Sequence, residues 1–285
     1  VDVDAMLAKA RPNSRVTGVR ERTGGQLSSV YEVGCAGEEP VIVKVYKPEW
    51  AWKQAKEVHV YGLLAAEFTT EVPQVLHAEP AGEQDAFTVL TKLEGLPLSE
   101  ATPPDWHAVY VQVGQLLKRL HQIPQTEFGY LVDTILEPMP DAESYLRSQF
   151  TKKLAEFTGD QSLKQRIETF VATQPPVQAT PVLCHNDFHE GNLLIDPATW
   201  RITGFIDVEN AIAADPLLDV AKTIAYAVEG DAAKLQGLTD GYGEFPADVI
   251  ALYQVFHWLE LWVWFASIGE DAHLDGIAAL IAGTV

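Results

Sequence analysis

Hydrophobic periodicity changes character once along this chain, and that change limits its architecture more than any other feature. Up to about residue 90 the apolar residues alternate or run in short β-branched stretches: Arg15 to Arg22, Val30 to Cys35, Pro40 to Tyr46, Gln74 to Ala78 and Ala86 to Leu90. Such runs, bounded by glycine-containing turns, predict strands. One helix is expected among them, Pro48 to Phe68, with Val58, Tyr61, Leu64 and Ala65 on one face. Thr91 to Leu98 is a short connector. Beyond it the pattern is helical: Asp105 is placed to cap a helix carrying the stripe Val109, Val113, Leu116, Leu117 and Leu120. Helices are also expected over 141–157 and 161–173, the second stopped by Pro175-Pro176. Short strands are expected at 182–184, 193–195 and 201–206. After Asp215-Pro216 the chain reads as helical, with breaks near Gly230, Gly243 and Gly269. Strands first and helices second predict an α+β chain. The expected division is a lobe over 1–91, a hinge over 92–98 and a helical lobe over 99–285.

Charge narrows the partners. The chain has 20 basic and 40 acidic residues, a formal net charge of −20. Such a surface repels phosphate backbones, so a general nucleic-acid binder is not expected. It suits a cationic small molecule, and equally suits mere solubility. Cys35 and Cys184 are the two cysteines and share no CxxC spacing. They predict neither a disulfide framework nor a zinc site, and they fit a reducing, cytoplasmic setting. The most apolar stretch, Val255 to Ile268, contains His257 and Glu260, so no membrane association is expected.

Chemistry concentrates in His185-Asn186-Asp187-Phe188-His189-Glu190-Gly191-Asn192. This is the H-x-D-x-x-x-x-N spacing of a kinase catalytic loop, in which the aspartate orients an attacking hydroxyl and the asparagine binds magnesium. A metal-hydrolase reading of the histidines would need further ligand clusters such as HExxH, and the sequence has none. Lys44 interrupts the apolar run Val41 to Tyr46, and a buried lysine needs an anion. Glu57 on the following helix supplies one, as in the lysine–glutamate pair that holds nucleotide phosphates. Asp207 follows the strand Ile202 to Ile206, where a kinase keeps a second magnesium ligand. Glu209, two residues on, points to the same side of an extended chain. Ahead of Lys44, the turn Gly24-Gly25-Gln26-Leu27-Ser28-Ser29 offers backbone N–H groups and two hydroxyls, Ser28 and Ser29, to phosphate oxygens. It is neither a P-loop nor a G-x-G-x-x-G loop. An A-P-E element and a glycine after Asp207 are lacking, which argues against a regulated protein kinase.

These pieces, with Thr91-Lys92-Leu93-Glu94-Gly95, Leu116 to His121 and Asp215-Pro216-x-x-Asp219, resemble the aminoglycoside phosphotransferase and choline-kinase-like superfamily in type and order. The resemblance runs from about residue 24 to 220. It implies a protein-kinase-like two-lobed fold, with a small antiparallel-sheet lobe and a larger, mainly helical one. It implies Mg2+ and ATP or GTP as co-substrate, with adenine against the backbone of Thr91 and Leu93. Asp187 would position the acceptor hydroxyl, Asn192 and Asp207 would hold magnesium, and Lys44, oriented by Glu57, would hold the phosphates. The acceptor would be a small molecule, with an aminoglycoside-like amino sugar as first expectation. Homoserine, choline, methylthioribose, fructosamine-type and simple sugar acceptors stay open, as does a non-catalytic nucleotide-binding protein. Glu209 and the aromatic segment bearing Trp258, Glu260 and Trp262 are the expected acceptor wall; aromatic residues at such spacing also fill cores.

Overall fold

The structure, a computed structural model, describes residues 1–22, 28–82 and 85–285. In chain order its elements are α1 (Val3–Ala10), β1 (Val16–Arg22), β2 (Ser28–Cys35), β3 (Glu38–Tyr46), α2 (Trp52–Leu64), β4 (Val75–Glu79), β5 (Phe87–Thr91), β6 (Leu96–Pro97), α3 (Trp106–Leu120), β7 (Phe128–Leu131) and β8 (Ile135–Met139). There follow α4 (Ala142–Glu156), α5 (Gln161–Thr173), β9 (Val182–Cys184), β10 (Leu193–Asp196), β11 (Arg201–Phe205), β12 (Ile212–Ala214), α6 (Pro216–Thr223), α7 (Ala232–Tyr242), α8 (Ala247–Ile268) and α9 (Leu274–Thr284). Two compact units result. The first comprises Val1–Pro103, Leu131–Thr134 and Glu190–Ala211; the second comprises Pro104–Tyr130, Ile135–His189 and Ile212–Val285.

In the first unit, β1 to β5 form an antiparallel sheet in the order β1-β2-β3-β5-β4. Alternation along the central β3 sorts its side chains. Val41, Val43 and Val45 enter a core with Val33, Cys35, Phe87, Val89 and the α1 residues Val3, Met6 and Leu7. Lys44 and Tyr46, at the alternate positions, are buried as well. The sequence reading did not include α1. Its signal is short: Asp2 caps it by accepting from the Ala5 N–H at 3.0 Å, and three apolar residues lie on one face. The helix expected from Pro48 to Phe68 is a 3-10 turn at Pro48–Trp50 followed by α2, which buries Glu57, Val60, Tyr61 and Leu64. A second sheet, ordered β11-β10-β6, carries the hairpin that presents Asp207. The Phe205 N–H donates to the Glu71 carbonyl at 2.8 Å. That approach needs glycine at 204, because a Cβ there would overlap the Glu71 backbone.

The second unit holds a sheet ordered β8-β7-β12-β9 and the helices α3 to α9. β7, β8 and β12 are short, and β12 is only Ile-Ala-Ala, too brief for alternation to register. The long helix α8 buries Ile250, Leu252, Tyr253, Val255, Phe256, His257, Leu259, Trp262 and Val263. Among the described residues it is the helix whose length and apolarity would let it cross a bilayer, yet half of it is buried inside this unit. α6 runs on into a π-helical turn, Ile224–Val228, that ends at Glu229 with φ +48°.

The pair α3/α7 packs through glycine. A Cβ on Gly114 would sit 2.6 Å from the Leu238 carbonyl, and one on Gly241 would overlap the Val111 carbonyl. Helix propensity alone favours alanine over glycine by about 1 kcal/mol. We predict that the packing wins: Gly241→Ala should destabilise the protein by about 1–3 kcal/mol, the usual range for overpacking. Urea denaturation checks this; an unchanged or raised midpoint would show that the helices separate without cost.

Candidate active site

Lys44 organises the first unit. Its Nζ lies 2.9 Å from Glu57 Oε2, 2.9 Å from Glu209 Oε2 and 3.4 Å from Asp207 Oδ1. Burial alone would lower its pKa; Glu57 first, then Asp207, Tyr46 and Glu209, outweigh burial and raise it well above the usual lysine value. Lys44 is therefore a permanent cation. Tyr46, two residues along β3, donates its hydroxyl to the same Glu57 oxygen, Oε2, and so helps to fix the carboxylate. Burial, the largest influence on Glu57, raises its pKa against the pull of Lys44.

The hairpin β10/β11 brings Asn192 and Asp207 together. Leu193 pairs with Phe205, and the Ile206 N–H donates to the Asn192 carbonyl at 2.9 Å. The two residues thus occupy the same end of the hairpin. Asp207 takes left-handed backbone angles, φ +64° and ψ 63°, uncommon for a non-glycine residue and frequent at functional turns. Its carboxylate is 39% exposed although it touches Lys44. A carboxylate and a side-chain amide are hard oxygen donors, so the set fits Mg2+. Glu209 is buried on the one-turn helix Val208–Asn210, between Lys44 and Lys53.

Of the other expected nucleotide contacts, Gly24 and Gly25 lie outside the described residues. Ser28 is buried opposite Tyr46, and Ser29 pairs with Val45. Thr91 ends β5 with its N–H donated to the Gln74 carbonyl at 2.9 Å. That N–H is therefore committed to Gln74. Leu93 is half-buried beyond it.

In the second unit a buried carboxylate shapes the loop that carries Asp187. Asp219 on α6 accepts from the His185 N–H at 2.7 Å through Oδ2 and from the Asn186 N–H at 2.9 Å through Oδ1. Asn186 has φ +58°, so this double grip stabilises a turn that would otherwise be strained. One helical turn further, Lys222 donates to Asn186 Oδ1 at 3.3 Å, and Thr223 Oγ1 donates to the Phe188 carbonyl at 3.0 Å. His185 is buried edge-on against Phe188. His121 closes the far side, with Nε2 at 3.3 Å from Asp219 Oδ2 and Nδ1 at 2.9 Å from the Tyr242 hydroxyl. Ligand atoms of His121, Cys184 and Asp219 all lie within 4.8 Å of one another, but both Asp219 oxygens already accept loop N–H groups. We read that trio as a clamp.

Asp187 stands 3.7 Å from His189 Nε2. Burial would raise its pKa, but the neighbouring His189 imidazole, then Lys222 and the charge of His185, hold it far below the usual carboxylate range. It is an anion at any ordinary pH and a weak base. Such a group suits orienting a hydroxyl better than stripping it of its proton. The acceptor-wall candidates lie on α8. Trp258 is half-buried, whereas Trp262 is buried with its ring centre 4.3 Å from that of Phe157. Glu260 is 3.6 Å from both Lys222 Nζ and His257 Nδ1. Burial opposes its ionisation, yet Lys222 and then His257 bring its pKa down to about 2. The sequence reading missed Lys53, Lys222 and His257. Lys53 is four residues before Glu57 and Lys222 three after Asp219, so helical spacing was the available signal.

Comparison with known proteins shows the family and the fold. The sequence pattern of the phosphotransferase enzyme family matches residues 18–259, and the chain belongs to that family. It is 31% identical over 144 residues to an aminoglycoside 3'-phosphotransferase of Streptomyces ribosidificus, an overlap of 48% of this chain and 52% of that one. It is 26% identical over 154 residues to a streptomycin 3''-kinase of Streptomyces griseus, covering 52% and 57%. The chain thus spans about half the length of the curated relatives it matches. In fold it is similar to an aminoglycoside 2'-phosphotransferase of type IIIa solved with GDP, with TM-score 0.75, 17% identity and coverage of 99% and 96%. A thermostable mutant of an aminoglycoside phosphotransferase of type (4)-Ia, solved with AMP-PNP and hygromycin B, gives TM-score 0.74 at 15% identity, covering 100% and 98%. The α+β, protein-kinase-like architecture expected from the sequence is therefore the observed one.

The Asp219 clamp generates a stability prediction. Burial raises the Asp219 pKa, but the His121 hydrogen bond and charge, then His185, bring it below the usual aspartate value. A depressed folded pKa stabilises the fold above the unfolded value of about 4, and that stability is lost as pH falls through the folded value. Asp219→Ala should cost about 2–5 kcal/mol at pH 7, since it strands two loop N–H groups. It should also flatten the loss of stability below about pH 4. Urea titrations at pH 7 and pH 3.5 read both effects; equal midpoints for the two proteins at pH 7 would remove the clamp from the account.

Proposed function

We propose that the protein is a Mg2+-dependent phosphotransferase that moves the γ-phosphate of ATP or GTP to a hydroxyl of an aminoglycoside-like amino sugar. The observation that carries this reading is the hairpin end where Asn192 and Asp207 stand together with Asp207 against Lys44. We assign the nucleotide role to a lobe of residues 1–91 with the connector 92–98, and the catalytic loop, the magnesium ligands and the acceptor site to 99–285. Lys44, held by Glu57, would bind the nucleotide phosphates, with Ser28 and Ser29 on the strand before it. Thr91 and Leu93 would receive the base. Asn192 and Asp207 would hold magnesium, whose charge neutralises the phosphates when bound. Asp187 accepts a hydrogen bond from the acceptor hydroxyl and orients its oxygen toward the γ-phosphorus. As the new P–O bond forms, the bond to the β-phosphate oxygen breaks, the nucleoside diphosphate leaves, and Asp187 takes the proton late. Its low pKa fits that timing, because proton transfer lags in a loose phosphoryl-transfer transition state.

The acceptor class rests on charge and kinship. Glu260 is ionised across the physiological range and 32% exposed, suited to an amine. The net charge of −20 favours cationic ligands generally. Two similar proteins are named for aminoglycoside and streptomycin phosphorylation.

Nucleoside diphosphate release, followed across a panel of aminoglycosides, amino alcohols and sugars with Mg·ATP and Mg·GTP, tests the reading. At least one aminoglycoside should gain a phosphoryl group by mass. Asp187→Asn should lower kcat by about 10²–10⁴, the usual worth of a positioned acid–base group, while nucleotide affinity holds. A chain that binds nucleotide and turns over no member of the panel is a binding module and not an enzyme.

A further inference from the structure

Glu209 bridges two lysines. Its Oε2 is 2.9 Å from Lys44 Nζ, and its Oε1 is 3.5 Å from Lys53 Nζ. Lys53 and Glu57 are four residues apart on α2, so one helix supplies both the anion that holds Lys44 and the cation that meets Glu209. Glu57, Lys44, Glu209 and Lys53 therefore stand in an open ring of alternating charges along β3, α2 and the turn after Asp207, each in contact with the next. Lys53 is also buried, 3.5 Å from Asn210 Oδ1 and over the rings of Trp50 and Trp52 at 5.6 and 5.8 Å. Such an aromatic seat suits a cation in place and costs less than open burial.

The ring has a consequence for phosphate binding. Lys44 is surrounded by Glu57, Asp207 and Glu209, an excess of negative charge that opposes any phosphate approaching its ammonium. Glu57 also accepts from the Tyr46 hydroxyl, which fixes it. Asp207 is the proposed metal ligand. Among the described residues, Glu209 is the one of the three carboxylates with an ion pair to a second lysine, Lys53. Lys56, one residue before Glu57, faces the same group, but burial first and then Lys53 lower its pKa to about 7, so its charge is partial at neutral pH.

We propose that Lys53 is a positioning residue for nucleotide binding: it draws Glu209 away from Lys44 when a nucleotide phosphate takes the Lys44 ammonium. The inference rests on the phosphotransferase reading and concerns a residue that reading does not use. Lys53 acts through Glu209 and need not touch the nucleotide. Without it Glu209 keeps its hold on Lys44 and repels the incoming phosphate. With Glu209 also neutral, Lys44 is released whatever stands at 53.

The test is calorimetric titration of the full chain with ADP and GDP in EDTA, which needs neither an acceptor nor turnover. Lys53→Met should weaken binding about tenfold, a discounted Coulomb value for one uncompensated charge near the phosphate at an effective dielectric constant of about 20. Lys53→Arg should bind as wild type. Glu209→Gln should bind at least as tightly as wild type, and Lys53→Met/Glu209→Gln should recover the loss. A merely structural role for the pair predicts the opposite, a double variant no tighter than Lys53→Met. That result, or a Lys53→Met protein with wild-type affinity, overturns the inference. If Lys53→Met does not fold, as circular dichroism would show, Glu209→Gln decides alone, since weaker binding than wild type overturns the inference and equal or tighter binding supports it. A wild-type chain that binds neither nucleotide fails the phosphotransferase reading itself, and the inference with it.

Discussion

A lysine ammonium taken out of water in the middle of β3 is the constraint on which the first unit depends. Burying an isolated charge is prohibitively costly, so the fold must deliver carboxylates to Lys44. They come from two separate elements: Glu57 from α2, and Asp207 and Glu209 from the turn after β11. Each must be placed to within an ångström or so for the ion pairs to repay desolvation. This explains why the hairpin backbone is pressed against residue 71, with glycine at 204, and why Asp207 adopts a left-handed conformation. These local costs are what place a carboxylate at the end of β11 and an amide beside it.

The second unit solves the converse problem. There the buried charge is an anion, Asp219, and its partners are backbone N–H groups and His121. A carboxylate that accepts two successive N–H groups imposes a sharp turn, and Asn186 pays for that turn in its positive φ. The residue after the turn is Asp187. Because His189 and Lys222 surround it, Asp187 stays ionised in spite of its own burial. On the proposed reading, a carboxylate that would accept a hydrogen bond from a hydroxyl is thereby kept ionised. Buried Asp219 sets the shape of the loop that carries the partly exposed Asp187.

Much of this was legible in the residue string. The β-branched run around Lys44, the spacing of Asp187 and Asn192, and the strand leading to Asp207 each encode a local demand that one window of sequence can display. Nearly every element longer than four residues was anticipated, because periodicity needs that length to register. The exceptions were α1, whose apolar face is three residues, and β8, whose Ile-Leu-Glu-Pro-Met has no alternation and a proline. Charge networks were the hardest to read. Glu209 was expected to face an acceptor, since alternation along a strand would send it to the side of Asp207. In the structure the chain leaves the strand at Phe205 and turns into a single 3-10 turn, so alternation no longer applies, and Glu209 meets Lys44 and Lys53. The partners Lys53 and Lys222 are invisible until the helices that carry them are known to pack against those loops.

The charge of the whole chain and the charge of its nucleotide residues point in opposite directions, and that opposition orders the rest. A net charge of −20 produces a field that repels nucleotide polyphosphate at long range and attracts cations. Screening confines such fields to about 8–10 Å at physiological salt, so only groups nearer than that can reverse them. Lys44, Lys53 and Lys56 are that local reversal. They are gathered on β3 and the first turns of α2, and all three are buried where screening is weakest. The carboxylates around Lys44 keep it charged and in place, at the cost of competing with phosphate for its ammonium. On the proposed reading such a site exchanges counter-ions, its carboxylates retreating to other cations as the nucleotide arrives. Asp207 would then retreat to a magnesium ion, and Glu209 to Lys53. Glu57, held by Tyr46, stays with Lys44 throughout. On the proposed reading, the acidic surface that opposes the nucleotide would favour a cationic acceptor, which ties the composition to the acceptor and leaves the nucleotide phosphates to Lys44.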